Sequence, residues 1–167
     1  VPFLAEIPKY VKKEDRHKKL KFRHEQLGKN ESVIVVEQGS RDMMNEAYRV
    51  LRTNLDLMAG RDHKIFLFTS FVPGSGKTFS IMNVAQSMAI KGAKTLLVDL
   101  DLRKGSMSAA IQSSDRGVST FLNGKDDKLG ELILSIDSQL DLLPAGNLPP
   151  NPAELLLSDK FEKMVQA

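Results

Sequence analysis

The sequence has 167 residues, of which 41% are hydrophobic and 27% are charged, a composition typical of one folded domain. It contains no cysteine, which excludes disulfide scaffolds, cysteine-ligated zinc and thiol nucleophiles. No apolar run approaches the ~18 residues that a membrane-spanning helix needs and no signal peptide opens the chain, so we expect a soluble, cytoplasmic polypeptide.

The first 30 residues form a basic arm. Nine Lys or Arg residues and three acidic residues lie between Lys9 and Lys29, which gives this segment a charge of +6 and, from a net charge of +3, leaves −3 for all other residues. The positive charge therefore does not make the whole chain a nucleic-acid-binding domain, and no aromatic residues alternate with the charges to stack on bases. A solvated or disordered arm and an arm attracted to anionic lipid both fit this pattern.

The first predicted elements are a short strand or extended segment over residues 32–36 and a helix over residues 42–58. Ser40 or Asp42 can cap the helix and Gly60 ends it. Its apolar residues recur every three or four positions and form one stripe: Met44, Ala47, Tyr48, Leu51, Leu55 and Met58. The polar side of this helix carries Glu46, Arg49 and Arg52.

Strands and helices alternate in the rest of the chain. Residues 65–70 form a continuous apolar run, which predicts a strand buried on both faces. We predict a helix over residues 77–91, strands over residues 95–101 and 137–143, and a last helix that begins at Asn151 and Pro152 and runs to the C-terminus. This alternation predicts a doubly wound α/β fold, a mainly parallel sheet with helices on both faces.

The strongest motif is the sequence Phe-Val-Pro-Gly-Ser-Gly-Lys-Thr of residues 71–78, between the predicted strand and helix. Such a loop wraps backbone N–H groups around a phosphate at a helix N-terminus, the arrangement of P-loop NTPases. Phe71 departs from the strict pattern, and an ordinary glycine turn is the alternative. We expect nucleotide contacts from Pro73, Gly74, Ser75, Gly76, Lys77, Thr78 and Phe79.

A second motif lies at the carboxyl end of the second predicted strand, where ligands bind in open α/β sheets. Asp99 and Asp101 are two positions apart, so strand alternation predicts that both carboxylates face the same side. Paired carboxylates beside phosphates favour a Mg²⁺ ion or a proton to be transferred. Helix caps or solvated loop acids are the alternative.

Together these motifs resemble the bacterial tyrosine kinases, which are cytoplasmic domains of polysaccharide co-polymerases for capsule and exopolysaccharide export. The resemblance includes the loop, the Asp-Leu-Asp-Leu-Arg segment of residues 99–103, the Glu-Ala-Tyr-Arg-Val-Leu-Arg-Thr-Asn segment of residues 46–54, and residues 142–156. Residues 2–8 are similar to the segment that follows the second transmembrane helix of such proteins.

The resemblance implies an autokinase that uses ATP, yields ADP and requires Mg²⁺. It implies that Thr78, Asp99 and Asp101 hold the metal and that Lys77, Asp99, Asp101 and Arg103 are catalytic. It further implies that Glu46, Arg49 and Arg52 join copies of the chain in a ring for trans-phosphorylation of C-terminal tyrosines, although a solvated helix face is the alternative for these three. The implied partners are the transmembrane co-polymerase segment of the same or another chain and a tyrosine phosphatase, at the inner membrane.

Two features of the family are missing from these residues. The third nucleotide motif, a strand that ends in Asp, is not found, and the only tyrosines are Tyr10 and Tyr48. We therefore expect residues 31–167 to be an incomplete kinase domain, not fully active alone. An ATPase of the partitioning or division-site type is disfavoured because residues 71–73 lack its second lysine, and a non-catalytic nucleotide-gated oligomerisation module is the third hypothesis.

Overall fold

The computed structural model of the chain describes residues 33–60 and 64–166. These residues form two compact units, one that ends at Thr95 and one that begins at Leu96. The predicted basic arm and the three histidines lie outside the described residues. Across the described ranges, no helix combines the length and the apolar content required to cross a membrane.

Two helices organise the first unit. α1 spans Met43–Ala59, as predicted, and Asp42 caps it by accepting a hydrogen bond from the Asn45 N–H at 2.9 Å. α2 spans Lys77–Ile90, also as predicted, and packs against α1. The two helices share an apolar cluster with the segment before α1, formed by Val36, Tyr48, Leu51, Leu55 and Val84.

The predicted buried strand over residues 65–70 is wrong. Phe66 and Phe68 pack against the apolar cluster of the first unit, but Ile65 and Leu67 are 73% and 82% exposed. The segment therefore keeps the two-residue alternation of an extended chain with one face open. A strand also requires a hydrogen-bonded neighbour, and among the described residues no strand pairs with this segment.

A three-stranded sheet belongs, except for the first residue of β1, to the second unit. β1 (Thr95–Val98), β2 (Leu134–Asp137) and β3 (Leu140–Leu143) are arranged in the order β1–β3–β2, and β2 and β3 are antiparallel. The prediction of one strand over residues 137–143 is wrong, because the Ser138 N–H donates to the Asp137 side chain at 2.6 Å and the chain turns there. β1 is also shorter than predicted and ends one residue before Asp99.

The helices of the second unit are short. They are α3 (Ser106–Ala110), α4 (Val118–Leu122), a 3-10 turn (Leu129–Leu132), α5 (Pro152–Leu156) and α6 (Asp159–Gln166). The predicted single C-terminal helix is divided because the Ser158 hydroxyl donates to the Leu155 carbonyl at 2.7 Å and accepts from the Phe161 N–H at 3.3 Å.

The second unit has its own apolar core. Side chains from β3, the helices and the loops between them form it: Leu102, Val118, Leu122, Leu132, Leu143, Ala145, Leu155 and Met164. The described residues thus confirm an α/β fold. Their three strands do not by themselves establish the predicted doubly wound sheet.

Candidate functional site

The glycine-rich loop has the backbone conformation that the motif predicts. Gly74 and Gly76 have φ angles of +78° and +86°, a left-handed region in which other residues are strained. A Cβ atom added to either glycine would meet no protein atom within 4 Å. The loop therefore requires glycine for its conformation, and the space beside both glycines is open.

The N-terminus of α2 directly follows this loop. Gly76 is its N-cap residue, no side chain caps the helix, and its first turn contains no acidic residue. α1 differs because the carboxylate of Asp42 caps it. Hydrogen bonds from Ser40 and Asn45 outweigh the effect of partial burial and lower the pKa of Asp42, which favours the anionic form beside the helix N-terminus. The first N–H groups of a helix lack intrahelical acceptors, and at α2 no carboxylate of the helix competes for them.

The predicted nucleotide contacts lie together along this turn. Residues 73–76 are exposed, and Lys77, Thr78 and Phe79 are half-buried. The Phe79 side chain packs into the apolar cluster, with its ring 6.4 Å from the ring of Tyr48 in an edge-to-face arrangement. The backbone of Phe79, and not its side chain, is thus suited to contact a nucleotide.

A buried amide that the sequence analysis did not single out anchors α2. The Asn83 side chain is fully buried and accepts hydrogen bonds from the N–H groups of Val35 and Val36 at 2.8 and 3.1 Å. It donates to the carbonyl groups of Val33 and Phe79, both at 2.8 Å. The sequence predicted a short strand or an extended segment over residues 32–36; the described residues of this range form no strand, and these bonds tie them to the helix that follows the loop.

Asp99 lies in the second unit, immediately after β1, and is 3% exposed. One carboxylate oxygen, Oδ2, accepts hydrogen bonds from the Ser108 hydroxyl at 2.6 Å and the Ser108 N–H at 2.9 Å. The other oxygen, Oδ1, accepts from the Asp101 N–H at 3.1 Å. The prediction that strand alternation aligns Asp99 and Asp101 does not apply, because both residues follow the strand and form a turn.

Asp101 and Arg103 are more accessible than Asp99. Asp101 is half-buried and its Oδ1 accepts from the Lys104 N–H at 3.2 Å, while Arg103 is exposed. Both line a cleft of about 190 Å³ together with Pro152, Ala153 and Leu156 of α5. Within the described ranges, no group of three or more His, Cys, Asp or Glu side chains could form a metal cage.

The three predicted interface residues differ in their surroundings. Arg49 forms an exposed ion pair with Glu46 one turn earlier on α1. Arg52 is half-buried and donates to the Ser87 carbonyl on α2 at 2.8 Å. Arg52 therefore links the two helices of its own chain, whereas Glu46 and Arg49 present charge at the surface.

Tyr48 is fully buried, as the sequence analysis predicted from its place in the apolar stripe. Burial raises the pKa of its hydroxyl. Its position makes it part of the core and not an acceptor of phosphate in the folded unit. Tyr10 lies outside the described residues.

Known proteins similar to this chain are tyrosine kinases. The chain is 36% identical over 125 residues to the tyrosine-protein kinase CpsD of Streptococcus agalactiae, covering 73% of this chain and 54% of that protein. It is 37% identical over 133 residues to YwqD of Bacillus subtilis, covering 78% of this chain and 56% of the relative. No family model matches the chain.

A solved structure gives the same result. The kinase domain of the Escherichia coli tyrosine kinase ETK superimposes with a TM-score of 0.79 at 30% identity, over 98% of this chain and 63% of that domain. The chain spans about half the length of the curated relatives named above. These similarities confirm the family that the motifs indicated, and the chain belongs to the bacterial tyrosine-protein kinases.

Proposed function

We propose that the chain binds ATP through residues 73–79 and serves as the nucleotide-binding part of a bacterial protein tyrosine autokinase. The observation that supports this best is the left-handed turn at Gly74 and Gly76, which leads into a helix without a side-chain cap. A phosphate supplies the negative charge that this helix end lacks. The relatives named as tyrosine kinases support the reaction class.

In the proposed reaction the phenol oxygen of a tyrosine forms a bond to the γ-phosphorus of ATP. The bond from that phosphorus to the β–γ bridging oxygen breaks, and ADP leaves with the electron pair. The phenol proton passes to the carboxylate of Asp99 or Asp101, while Lys77 balances charge on the β- and γ-phosphates. Arg103, exposed beside Asp101, is suited to the same task.

The chemistry of each residue predicted to hold Mg²⁺ suits this ion. Thr78, Asp99 and Asp101 offer oxygen atoms, the donors that Mg²⁺ prefers, and this ion commonly uses one or two carboxylates together with substrate phosphates and not a full protein cage. When bound, Mg²⁺ neutralises charge on the phosphates. Asp99 has Oδ1 left for this role, because Oδ2 already accepts two hydrogen bonds.

The wider assignments rest on the family resemblance. We propose that residues 31–167 contribute to a doubly wound P-loop kinase domain and that residues 1–30 form a basic arm near an anionic inner-membrane surface on the cytoplasmic side. The proposed roles are regulation of capsule or exopolysaccharide synthesis with a transmembrane co-polymerase segment, and reversal by a tyrosine phosphatase. Nucleic acid is not among the proposed partners.

Phosphotyrosine formation tests the proposed reaction. The full-length protein is incubated with ATP and Mg²⁺ and blotted for phosphotyrosine, alongside Lys77→Met and a control, Lys91→Met, at the exposed far end of the same helix. We expect the signal to be lost in Lys77→Met and retained in Lys91→Met. ADP release without phosphotyrosine in the unaltered protein would support an ATPase instead, and nucleotide-dependent assembly alone would support a non-catalytic module.

The proposed ring is tested by sedimentation of Arg49→Ala. This variant is preferable to Arg52→Ala because Arg52 also bonds to Ser87 within the chain. Lys128→Ala is the matched control, since Lys128 and Glu131 form an equally spaced, exposed pair in the second unit. We expect only Arg49→Ala to dissociate the oligomer, and an unchanged oligomer refutes this interface.

A further inference from the structure

Ser108 occupies a central position beside Asp99 that the motifs do not reveal. It lies on α3, nine residues after Asp99, and is 8% exposed. Its hydroxyl lies 2.6 Å from Asp99 Oδ2, and its own N–H donates to the same oxygen at 2.9 Å. The hydroxyl also accepts a hydrogen bond from the Ala145 N–H at 2.8 Å, just after β3.

The chemistry of these groups determines the direction of every bond. A backbone N–H can only donate, so the Ser108 oxygen must be the acceptor from Ala145. An ionised carboxylate can only accept, so the Ser108 proton must point to Asp99. The result is a series of two hydrogen bonds, from the Ala145 N–H to the Ser108 hydroxyl and from that hydroxyl to Asp99 Oδ2, in which the first bond polarises the second.

This series of hydrogen bonds also distinguishes the two oxygens of Asp99. Oδ2 accepts from both the N–H and the hydroxyl of Ser108, and rotation of the carboxylate would break both buried bonds. Oδ1 accepts one hydrogen bond, from the Asp101 N–H at 3.1 Å. The oxygen with capacity for a metal ion or a substrate proton is therefore Oδ1.

We infer that Ser108 is a positioning residue for phosphoryl transfer, which holds the Asp99 carboxylate so that Oδ1 is the oxygen that acts. This inference rests on the proposed kinase function. Ser108 does not contact nucleotide in this scheme and acts only through Asp99. Partners of this kind around metal-binding carboxylates typically contribute 10- to 100-fold to activity or metal affinity.

The test compares Ser108→Ala, Ser108→Thr and the control Ser119→Ala in the full-length protein. Ser119 is 1% exposed in the same unit, and its hydroxyl has no hydrogen-bond partner among the described residues. We expect kcat for phosphotyrosine formation to fall about 10- to 100-fold in Ser108→Ala. Ser108→Thr should recover most of the rate because it keeps the hydroxyl, and Ser119→Ala should match the unaltered protein.

A binding measurement separates positioning from general damage. Calorimetry of ADP without magnesium reports on the loop of the first unit, and the gain in ADP affinity on adding Mg²⁺ reports on the acidic residues. For Ser108→Ala we expect the magnesium-free affinity for ADP to be unchanged and the gain in affinity on adding Mg²⁺ to shrink. If Ser108→Ala does not fold, Ser108→Cys replaces it, since a thiol keeps the shape and is a weaker donor, and the same losses are expected.

Three results overturn the inference: a kcat for Ser108→Ala no lower than that of Ser119→Ala, a loss of magnesium-free ADP binding equal to the loss of rate, or no recovery in Ser108→Thr. A rate for Ser108→Cys equal to the unaltered protein does so as well. If the unaltered protein forms no phosphotyrosine, the proposed function itself fails and the role of Ser108 fails with it.

Discussion

The loop of the first unit and the Asp99 site of the second unit differ in how their polar groups are engaged. Around Gly74 and Gly76 the chain is exposed, and the helix that follows has no side-chain cap. Around Asp99 the chain is buried, and both carboxylate oxygens accept hydrogen bonds from within the unit. The loop is suited to receive its charge from a ligand, whereas the Asp99 carboxylate is oriented by its own chain.

Glycine serves different purposes in the two regions. Gly76 needs a left-handed backbone and has open space around it. Gly117 has an extended backbone, but a Cβ there would lie 2.1 Å from the Pro144 carbonyl oxygen and 2.6 Å from the Gly146 nitrogen. The first glycine is required for backbone conformation and the second for close backbone contact, and substitutions can separate these causes.

The largest effect is expected from Gly117→Ala. The added methyl group collides with backbone atoms that cannot rotate away, so we expect a loss of about 4 kcal/mol or more in the free energy of unfolding. Gly130→Ala is the control, because a Cβ there meets no atom within 4 Å. Urea unfolding followed by circular dichroism measures both, and equal stability of the two variants would contradict this explanation.

The second-largest loss of stability is expected from Asp99→Ala. It leaves the donors of Ser108 and Asp101 without their acceptor in a buried site, so we expect a loss of about 2–3 kcal/mol in the free energy of unfolding. Asp101→Ala, which removes a more exposed acceptor, should cost about 0.5–1.5 kcal/mol. Urea midpoints of the two variants check the order, and a larger loss for Asp101→Ala would refute the view that Asp99 is the structurally engaged residue.

Gly76→Ala tests the open loop. The strain of a left-handed alanine should cost about 1–2 kcal/mol of stability, and we expect ADP affinity to fall at least about tenfold because the methyl group also occupies the space beside the turn. Gly92→Ala is the control, with φ of +94° and equally open surroundings just after α2. Calorimetry should show a loss of ADP binding only in Gly76→Ala.

The smallest effect is expected at the pair formed by the exposed Arg116 and the half-buried Asp126. The hydrogen bond from Arg116 lowers the pKa of Asp126, so the pair stabilises the fold above the ordinary carboxyl pKa of ~3.9 and loses this effect as the pH falls through the lowered value. Asp126→Asn should therefore be slightly less stable than the unaltered protein near neutral pH and equal to it in acid. Urea midpoints at both pH values, repeated in high salt, measure this difference, which salt should reduce.

The sequence predicted the features that depend on neighbouring residues. α1 and α2 begin where predicted, because Asp42 and the glycine turn before Lys77 act within one helical turn. The loop conformation follows for the same reason, since the left-handed turns require glycine at positions 74 and 76. The family could also be identified, because its motifs are short and contiguous.

The remaining features depended on residues far apart in the chain. The apolar run of residues 65–70 predicted a strand, but strand formation depends on a partner that local sequence does not contain. Ser108 is separated from Ala145 by 37 positions, so no motif reveals their hydrogen bond. Local chemistry thus determined the helices, the loop and the family, while the tertiary structure decided which strands pair and which donors hold Asp99, because hydrogen bonds between distant segments form only when the whole unit folds.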